Sequence, residues 1–278
     1  MSKSFLYRLK SQKWIRIFVY PFINLIRYSR LISYRFTSDS KKMKSLKDTH
    51  LGERCFVIGN GPSLSAKDLE KIKGEYCFAA NRIFHIFDKT NWRPSAYMCV
   101  DSYVLRDVKD AIQELDTTNI FVQLEGKKYR IKNPRNNIVY INNFCPYLVN
   151  RYKRVNVKFS SDVSKWFDVG ETVVYTAIQL AVYMGFREIY LLGVDHSYSK
   201  RMDSKGRLYV DNTVKDYFGN LPTHDYSIQN YETSTNAFKE ARRYCESHGI
   251  TIANLTPGGK LEVLKRDTLD NVLQKNTV

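Results

Sequence analysis

Four short polar segments of the sequence carry residue types that could contact a ligand, and each directly follows an apolar run. The first is Gly59-Asn-Gly-Pro-Ser63. Its two glycines let a ligand approach the backbone, and the Asn60 amide can donate to and accept from a ribose or a base edge. Pro62 presets the backbone at the first turn of a helix, which Ser63 or Ser65 can cap. The segment indicates either a nucleotide-binding loop or a plain turn.

The other three segments begin at Asn81, Asp101 and Asp195, the last being Asp195-His-Ser-Tyr198. Asp101 and Asp195 fall at predicted strand ends, where two carboxylates could jointly hold Mg²⁺. His196 has two interpretations, which are packing within its loop and contact with a phosphate or an acceptor.

A further site is predicted at Gly170-Glu-Thr172, which opens a stretch that is apolar on nearly every face and runs to Gly185. Such a stretch predicts a central helix. The backbone N–H groups and the positive dipole end at Thr172 suit a phosphate. Simple capping by Thr172 is the alternative interpretation, and both roles can coexist.

The elements that must position these residues are short apolar strands alternating with helical stretches. After the strand that ends in the Gly59 loop, strands are predicted over 76–80, 96–100, 120–122, 138–141, 189–194 and 250–253. This alternation is typical of a doubly wound α/β fold, a mostly parallel sheet with helices on both faces. Ligands of such sheets lie outside the carboxyl ends of the strands, near the point where strand order reverses. We therefore expect the four polar segments to converge there.

Composition and charge limit the classes of protein to which the chain can belong. The 278 residues are 43% hydrophobic, enough to bury a sizeable core. The five cysteines are scattered and never spaced as C-x-x-C, which argues against a disulfide framework or a zinc knuckle and favours a reducing cytoplasm. Residues 1–47 hold twelve Lys/Arg against one Asp, a net charge of +11, so most of the chain's +16 lies at one end.

The basic extension, residues 1–47, is also rich in aromatic and aliphatic residues. Its longest apolar run is interrupted by Pro21 and bounded by Arg16 and Arg27, so no transmembrane helix is predicted, since a span needs about 18 apolar residues. An amphipathic helix of this kind predicts that residues 1–35 lie on an anionic membrane surface, at the inner face of the cell membrane. The alternative is a helical arm packed on the rest of the chain or on a second subunit. Nucleic acid is not expected, because no recognised binding module accompanies the charge.

Residues 36–52 are polar and predict a linker. The sequence therefore divides into the extension, residues 1–47, and an α/β domain, residues 48–278.

Two motifs together resemble known bacterial families. They are Phe56-Val-Ile-Gly-Asn-Gly-Pro-Ser-Leu64 and the stretch from Thr172 through Gly185-Phe-Arg-Glu-Ile-Tyr-Leu-Leu-Gly-Val-Asp195. The pairing resembles the lipooligosaccharide sialyltransferases and, equally, the 6-hydroxymethylpterin diphosphokinase MptE-like family, whose bacterial members often belong to polysaccharide assembly. The resemblance covers residues 54–260. The resemblance to the sialyltransferases implies a Rossmann-like domain that binds a CMP-sugar and requires no metal cofactor.

For matching positions, the resemblance to the sialyltransferases implies that Asn60, Asn81 and Thr172 contact the nucleotide. It also implies that tyrosine hydroxyls from the segment after the late strand contact the donor phosphate. Tyr198 and Tyr209 stand in that segment.

The general base is where the chain departs from the sialyltransferases. Counting back from Pro257 brings their catalytic histidine to Tyr231 or Glu232, and His224 is the nearest histidine upstream. Either His224 or Glu232 is chemically able to deprotonate an acceptor hydroxyl. We favour His224, because a histidine needs less tuning near neutral pH.

We therefore expect a glycosyltransferase that moves a sugar, sialic acid-like under the resemblance, onto a surface polysaccharide or a lipid-linked glycan. The chain has no D-x-D motif, which favours a metal-independent reaction. The alternatives are a diphosphokinase of the MptE-like type, with Mg²⁺ held by Asp101 and Asp195, and a non-catalytic nucleotide-binding module. A phosphate loop with lysine, which would favour a kinase, is not found.

Overall fold

The computed structural model describes residues 15–133, 136–144, 157–203, 207–218 and 228–274. Its centre is an eight-stranded sheet in which all neighbouring strands pair in parallel. In chain order, the strands are β1 (Arg54–Ile58), β2 (Tyr76–Ala80), β3 (Ala96–Cys99), β4 (Asn119–Gln123), β5 (Ile138–Ile141), β6 (Glu188–Leu192), β7 (Lys200–Met202), β8 (Leu208–Val210), β9 (Gln229–Asn230), β10 (Thr251–Asn254) and β11 (Lys265–Arg266). Strands β7, β8 and β9 form a separate small sheet.

Strand order in the large sheet is β11-β10-β6-β1-β2-β3-β4-β5. The chain runs outward from β1 to β5, returns to β6 and then runs outward in the other direction to β11. Strands β1 and β6 are neighbours, paired from Arg54 opposite Glu188 to Ile58 opposite Leu192. The order reverses between these two strands, which is where a doubly wound sheet binds its ligand.

Helices cover both faces of the large sheet, as predicted. They are α1 (Tyr20–Tyr34), α2 (Ser38–Ser45), α3 (Ala66–Lys71), α4 (Ser102–Gln113), α5 (Val173–Tyr183), α6 (Tyr231–Ser247) and α7 (Leu269–Gln274), with short helical turns at Ile15–Val19, Ile83–Ile86 and Leu124–Tyr129. In β1, Cys55 and Val57 belong to the core on one face, and Phe56 and Ile58 belong to the core on the other. Both faces of a parallel strand are buried in this way, so the strand is apolar throughout. Among the described helices, none has the length and hydropathy to cross a bilayer.

Helix α5 is the central helix of one face, in agreement with its apolar composition. It packs across β1, β2 and β3, and its residues from Val174 to Ala181 are all buried. After the helix, Gly185 adopts a φ of +97°, and a Cβ there would lie 3.0 Å from the Leu51 Cα. Only glycine meets both conditions, so the helix ends at this position.

The polar residues around 38–45 form a helix rather than the linker that their composition predicts. The Asp39 carboxylate accepts from the Tyr140 N–H (3.1 Å), and Ser40 Oγ donates to the Ser164 carbonyl (2.8 Å). Met43 is fully buried in the main core. Because these three side chains complete the edge of the sheet at β5, the linker prediction is wrong. The division of the chain into residues 1–47 and 48–278 stays a prediction.

We expect Met43→Ala to lower the free energy of unfolding by about 2–5 kcal/mol, because it leaves a cavity in a packed core. The matched control is Lys42→Ala, whose side chain is exposed and whose effect should stay within about 0.5 kcal/mol. Urea denaturation of both variants measures the difference. Equal, small effects would show that α2 is a loosely attached segment.

Candidate functional site

A cavity of about 350 Å³ opens at the carboxyl ends of the central strands, at the reversal between β1 and β6. Its volume lies within the range of small-molecule sites. Nine residues singled out in the sequence line it: Gly59, Asn60, Gly61, Asn81, Asp101, Thr172, Asp195, His196 and Tyr198. The structure therefore brings the four polar segments together with the start of α5.

The glycines after β1 are required by a contact between two loops. The Gly59 N–H donates to the Leu192 carbonyl (2.8 Å), and the Gly61 N–H donates to the Gly193 carbonyl (2.9 Å). A Cβ on Gly59 would lie 2.2 Å from the Gly193 carbonyl oxygen, and one on Gly61 would lie 1.9 Å from Asp195 Oδ2. The two loops can meet only because Gly59 and Gly61 carry no side chain.

Pro62 and Ser63 do not line the cavity. Ser63 Oγ donates to Asp195 Oδ2 (2.7 Å). Ser63 therefore orients a carboxylate of the cavity wall without lining the cavity itself. Helix α3 is capped by Ser65, whose hydroxyl accepts from the Asp68 N–H. Of the two serines that could cap this helix, Ser65 does so.

Two asparagines of the cavity wall have unpaired amide oxygens. Asn60 Nδ2 donates to the Ala80 carbonyl (2.9 Å), which fixes the orientation of the amide. Asn81 has a φ of +55°, a left-handed conformation that asparagine tolerates better than most residues. Both Oδ1 atoms are buried, and neither has a hydrogen-bond partner within the described parts of the chain. A buried acceptor without a partner is unfavourable by about 1–3 kcal/mol, so both oxygens suit ligand donors.

Asp101 and Thr172 each cap a helix whose first turn faces the cavity. Asp101 Oδ1 accepts from the N–H groups of Tyr103 (2.6 Å) and Val104 (3.2 Å) at α4. Thr172 Oγ1 accepts from the Val174 N–H (3.3 Å) at α5. Thr172, Val173 and Val174 line the cavity, so the positive end of the α5 dipole points toward it. The capping role of Thr172 is therefore observed, and its contact with a phosphate stays a prediction.

The turn before α5 is backbone-strained and held by a buried network. Gly170 and Glu171 are consecutive left-handed residues, with φ of +48° and +61°. Gly170 lies below the cavity surface, where a Cβ would be 2.4 Å from the Tyr175 ring. Asp168 Oδ1 accepts from the Gly170 N–H (3.0 Å), and Gln179 Nε2 donates to the Asp168 carbonyl (2.8 Å). These bonds keep a left-handed, non-glycine residue at the cavity wall, which is a pattern that concentrates at functional sites.

His196 is a neutral, packed imidazole in the cavity wall. Thr235 Oγ1 donates to the Tyr231 carbonyl (2.9 Å), so its oxygen accepts from His196 Nε2 (2.8 Å). The other ring nitrogen, Nδ1, lies 3.5 Å from the Tyr198 hydroxyl. Burial lowers the pKa of His196 to about 4. His196 therefore both packs in its loop and faces the cavity.

Burial also raises the pKa of two neighbours of His196. It raises the pKa of Tyr198 to about 12, so this tyrosine stays a hydrogen-bond donor. Burial raises the pKa of Asp195 as well, although the hydrogen bonds from Ser63 act in the opposite direction and lower this pKa. The wall after β6 therefore offers a neutral ring, a hydroxyl donor and a carboxylate with reduced acidity.

Two further residues singled out in the sequence, Tyr209 and Glu232, do not line the cavity. Tyr209 is exposed on β8, where its hydroxyl donates to Asp203 Oδ2 (3.3 Å). Glu232 is exposed in the first turn of α6. His224 lies outside the described residues.

The sequence interpretation gave no role to Glu171, although it singled out the segment Gly170-Glu-Thr172, and it missed two other polar residues of the cavity wall, Asp216 and Tyr217. Asp216 accepts from the N–H and the hydroxyl of Ser199 (2.6 and 2.5 Å). The next residue but one, Phe218, is buried and donates its N–H to the Asn60 carbonyl (3.0 Å). The local signal at 216–218 is a polar and aromatic cluster, but its sequence does not say which strand end it approaches.

The pair Asp101 and Asp195 is the carboxylate set that could hold a divalent cation together with a phosphate. Each carboxylate is oriented by bonds from one side, Asp101 by the α4 backbone and Asp195 by Ser63. Within the described ranges, no three His, Cys, Asp or Glu side chains cluster as a metal site. The two carboxylates follow β3 and β6, which β1 and β2 separate in the sheet, so the pair does not form a cation site held by protein ligands alone.

The fold and the cavity at the strand reversal define the class of protein, a doubly wound, Rossmann-like α/β protein. The family model described as 6-hydroxymethylpterin diphosphokinase MptE-like matches residues 31–201, more than half of the chain. The chain therefore belongs to this family, and the resemblance inferred from its motifs is confirmed. Among curated proteins, no sequence matches it.

Solved structures with a similar arrangement include the MAf glycosyltransferase from Magnetospirillum magneticum AMB-1. It is 17% identical with a TM-score of 0.49, and the match covers 84% of this chain and 38% of that one. The sialyltransferase CstII from Campylobacter jejuni is matched in complex with cytidine-5'-monophosphate, at 17% identity, a TM-score of 0.44 and coverage of 78% and 85%. Its complex with CMP-3FNeuAc matches at 16% identity, a TM-score of 0.42 and coverage of 77% and 85%. This chain thus spans little more than a third of the Magnetospirillum protein.

His196 should make stability depend on pH. In the unfolded chain its pKa is the ordinary 6.5, whereas in the folded chain it is about 4. Between these values only the unfolded state binds the proton, so acidification favours unfolding. From about pH 7 to about pH 5, His196→Gln should lose roughly 2 kcal/mol less stability than the native protein. Urea denaturation at both pH values measures this, with exposed His248→Gln as the matched control. An unchanged pH slope in His196→Gln would contradict a neutral, buried imidazole.

Proposed function

We propose that the protein is a glycosyltransferase that binds a nucleotide sugar in the cavity and transfers the sugar to a glycan acceptor. The observation that carries this proposal is the pair of buried, unpaired Oδ1 atoms of Asn60 and Asn81 beside the N-terminus of α5. The oxygens require hydrogen-bond donors, and the helix end favours an anion. A nucleotide sugar supplies both, since its base and ribose carry N–H and O–H groups and its phosphate carries the charge.

The proposed reaction needs a general base but no covalent intermediate. An acceptor hydroxyl oxygen forms a bond to the anomeric carbon, and the bond from that carbon to the phosphate oxygen breaks. The hydroxyl proton passes to the base, and the nucleotide leaves with the electron pair. His224 is the proposed base and Glu232 the alternative. The Tyr198 hydroxyl, which stays a hydrogen-bond donor, is the group proposed to stabilise the leaving phosphate.

The donor class is proposed more narrowly from the sequence motifs. Their resemblance to the lipooligosaccharide sialyltransferases makes a CMP-sugar the first donor to test. The proposed acceptor is a surface polysaccharide or a lipid-linked glycan.

One observation favours a second candidate, a diphosphokinase. The carboxylates of Asp101 and Asp195 both line the cavity, and Mg²⁺ bound between such carboxylates and phosphates would serve transfer of a diphosphate from ATP. The description of the family also names this activity. We rank it second because the α5 end and the two amides can bind a nucleotide sugar without a metal.

Asn81→Gly is expected to weaken nucleotide binding about three- to tenfold, the effect of losing a single hydrogen bond of about 1 kcal/mol. Glycine keeps the left-handed backbone at this position and removes only the amide. Thermal-shift screening against CMP, UDP, GDP and ATP first identifies the nucleotide, and calorimetry then measures its affinity. The matched control is Asn136→Gly, because Asn136 also has a left-handed φ, +49°, and does not line the cavity. Equal affinities for both variants would remove Asn81 from the site.

Metal dependence and products should separate the candidates. A metal-independent transferase should keep releasing nucleotide from a CMP-, UDP- or GDP-sugar in the presence of EDTA, as followed by chromatography. A diphosphokinase should instead consume ATP with Mg²⁺ and a pterin alcohol, and release AMP. AMP release would overturn the ranking, and nucleotide binding without any turnover of these substrates would indicate a binding module.

A further inference from the structure

Helix α1 exposes a continuous apolar face to solvent. At about 100° per residue, Phe22, Leu25, Ser29 and Ile32 fall within about 80° of one another on the helix. Phe22 and Leu25 are each 65% exposed, and Ile32 is exposed as well. Phe18 and Phe36 extend the exposed apolar set beyond both helix ends.

The opposite face of α1 is fixed to the domain, so the apolar face cannot turn inward. Tyr20 and Tyr34 are buried, and the Tyr34 hydroxyl donates to the Tyr140 carbonyl (2.8 Å). Arg30 forms an ion pair with Glu125 on this inner side. A surface helix in water usually turns its charged residues to solvent and its apolar residues to the core. Helix α1 has the opposite arrangement, with apolar residues on its solvent side.

The exposed cations of this region come from the residues after α1. Asp39, Ser40 and Met43 are buried on one side of α2, which leaves the cations Arg35, Lys41, Lys42, Lys44 and Lys47 exposed. Asp39, the single acidic residue between positions 15 and 47, is buried and paired with Lys127 (2.7 Å). The exposed apolar face of α1 and these five cations form what we call the α1–α2 surface.

We propose that the α1–α2 surface docks the protein on an anionic lipid bilayer, with α1 in the plane of the interface. The sequence pattern predicts a single helix with cations opposite its apolar side. The structure instead pairs Arg30 with Glu125 and supplies the exposed cations from residues 35–47, which extends the surface to residue 47. Apolar side chains next to lysines match the acyl chains and headgroups of an anionic interface.

A second copy of the chain fits this surface less well than lipid does. In a two-fold symmetric pair the same patch faces itself, so joining two copies through α1 would crowd ten cations around one contact. Like charges at such a contact disfavour association. An anionic bilayer meets the same charges with attraction.

Vesicle sedimentation tests the proposal with the full-length protein. The native protein should sediment with vesicles of phosphatidylcholine and phosphatidylglycerol, and less with phosphatidylcholine alone or at high salt. The double variant Phe22→Ser, Leu25→Ser should bind anionic vesicles at least about tenfold more weakly, because two large apolar side chains no longer enter the interface. The matched control is Leu208→Ser, Val210→Ser on β8, whose side chains are 53% and 54% exposed and whose loss should leave vesicle binding unchanged.

Charge variants and the association state complete the test. Replacement of Lys41, Lys42 and Lys44 by Gln should weaken binding to anionic vesicles at low salt. The binding that remains at high salt should stay unchanged, because it comes from the apolar side chains. Point variants are needed, since deletion through residue 35 would also remove the buried Tyr34. Circular dichroism checks that each variant is folded. The proposal is overturned if Phe22→Ser, Leu25→Ser binds vesicles like the native protein. It is also overturned if the native protein ignores vesicles and forms a dimer that this variant dissociates.

Discussion

The site depends on a backbone contact between the loops that leave β1 and β6. These strands are adjacent in the sheet and far apart in the chain, and both loops must pass through the same space at the reversal. They do so because Gly59 and Gly61 present no side chain to Gly193 and Asp195. After this contact the loops separate, one toward β2 and the other toward α6. The cavity is the space between the diverging loops, so its position follows from the sheet topology.

The polar side chains that line the cavity are held by hydrogen bonds to residues that do not line it. The Asn60 amide is tied to the end of β2, Asp195 to Ser63 and His196 to Thr235. Each bond fixes the orientation of a side chain that lines the cavity. Groups oriented in advance need no rearrangement when a charged ligand arrives, which is how enzymes stabilise developing charge. The buried residues Asp168 and Gln179 serve the same purpose for the strained turn before α5.

Most of the fold and the walls of the cavity could be predicted from the sequence, since buried parallel strands are apolar runs that end in polar loops. This signal is local, and it located Asn60, Asn81 and Asp195 at strand ends. Helix α2 was not predictable in this way, because Asp39 and Ser40 are buried by partners about a hundred residues away. Tyr209 does not line the cavity, and spacing along the chain does not encode the direction of the β7–β8 hairpin that carries it. Glu171 was given no role because a left-handed backbone leaves no composition signal in a residue that is not glycine.

The reversal of strand order also determines when the site can form during translation. The ribosome delivers β1 to β5 first, and in that half of the sheet β1 is an edge strand, although it is central in the finished protein. Its open side, with apolar residues on both faces, stays unpaired until residues 188–192 leave the exit tunnel. A strand with an unpaired apolar edge can associate with other chains, which makes it a source of aggregation in nascent and partly folded proteins. The emergence of β6 therefore both closes this edge and brings the second cavity loop against the first, so that one step pairs the exposed strand and forms the cavity.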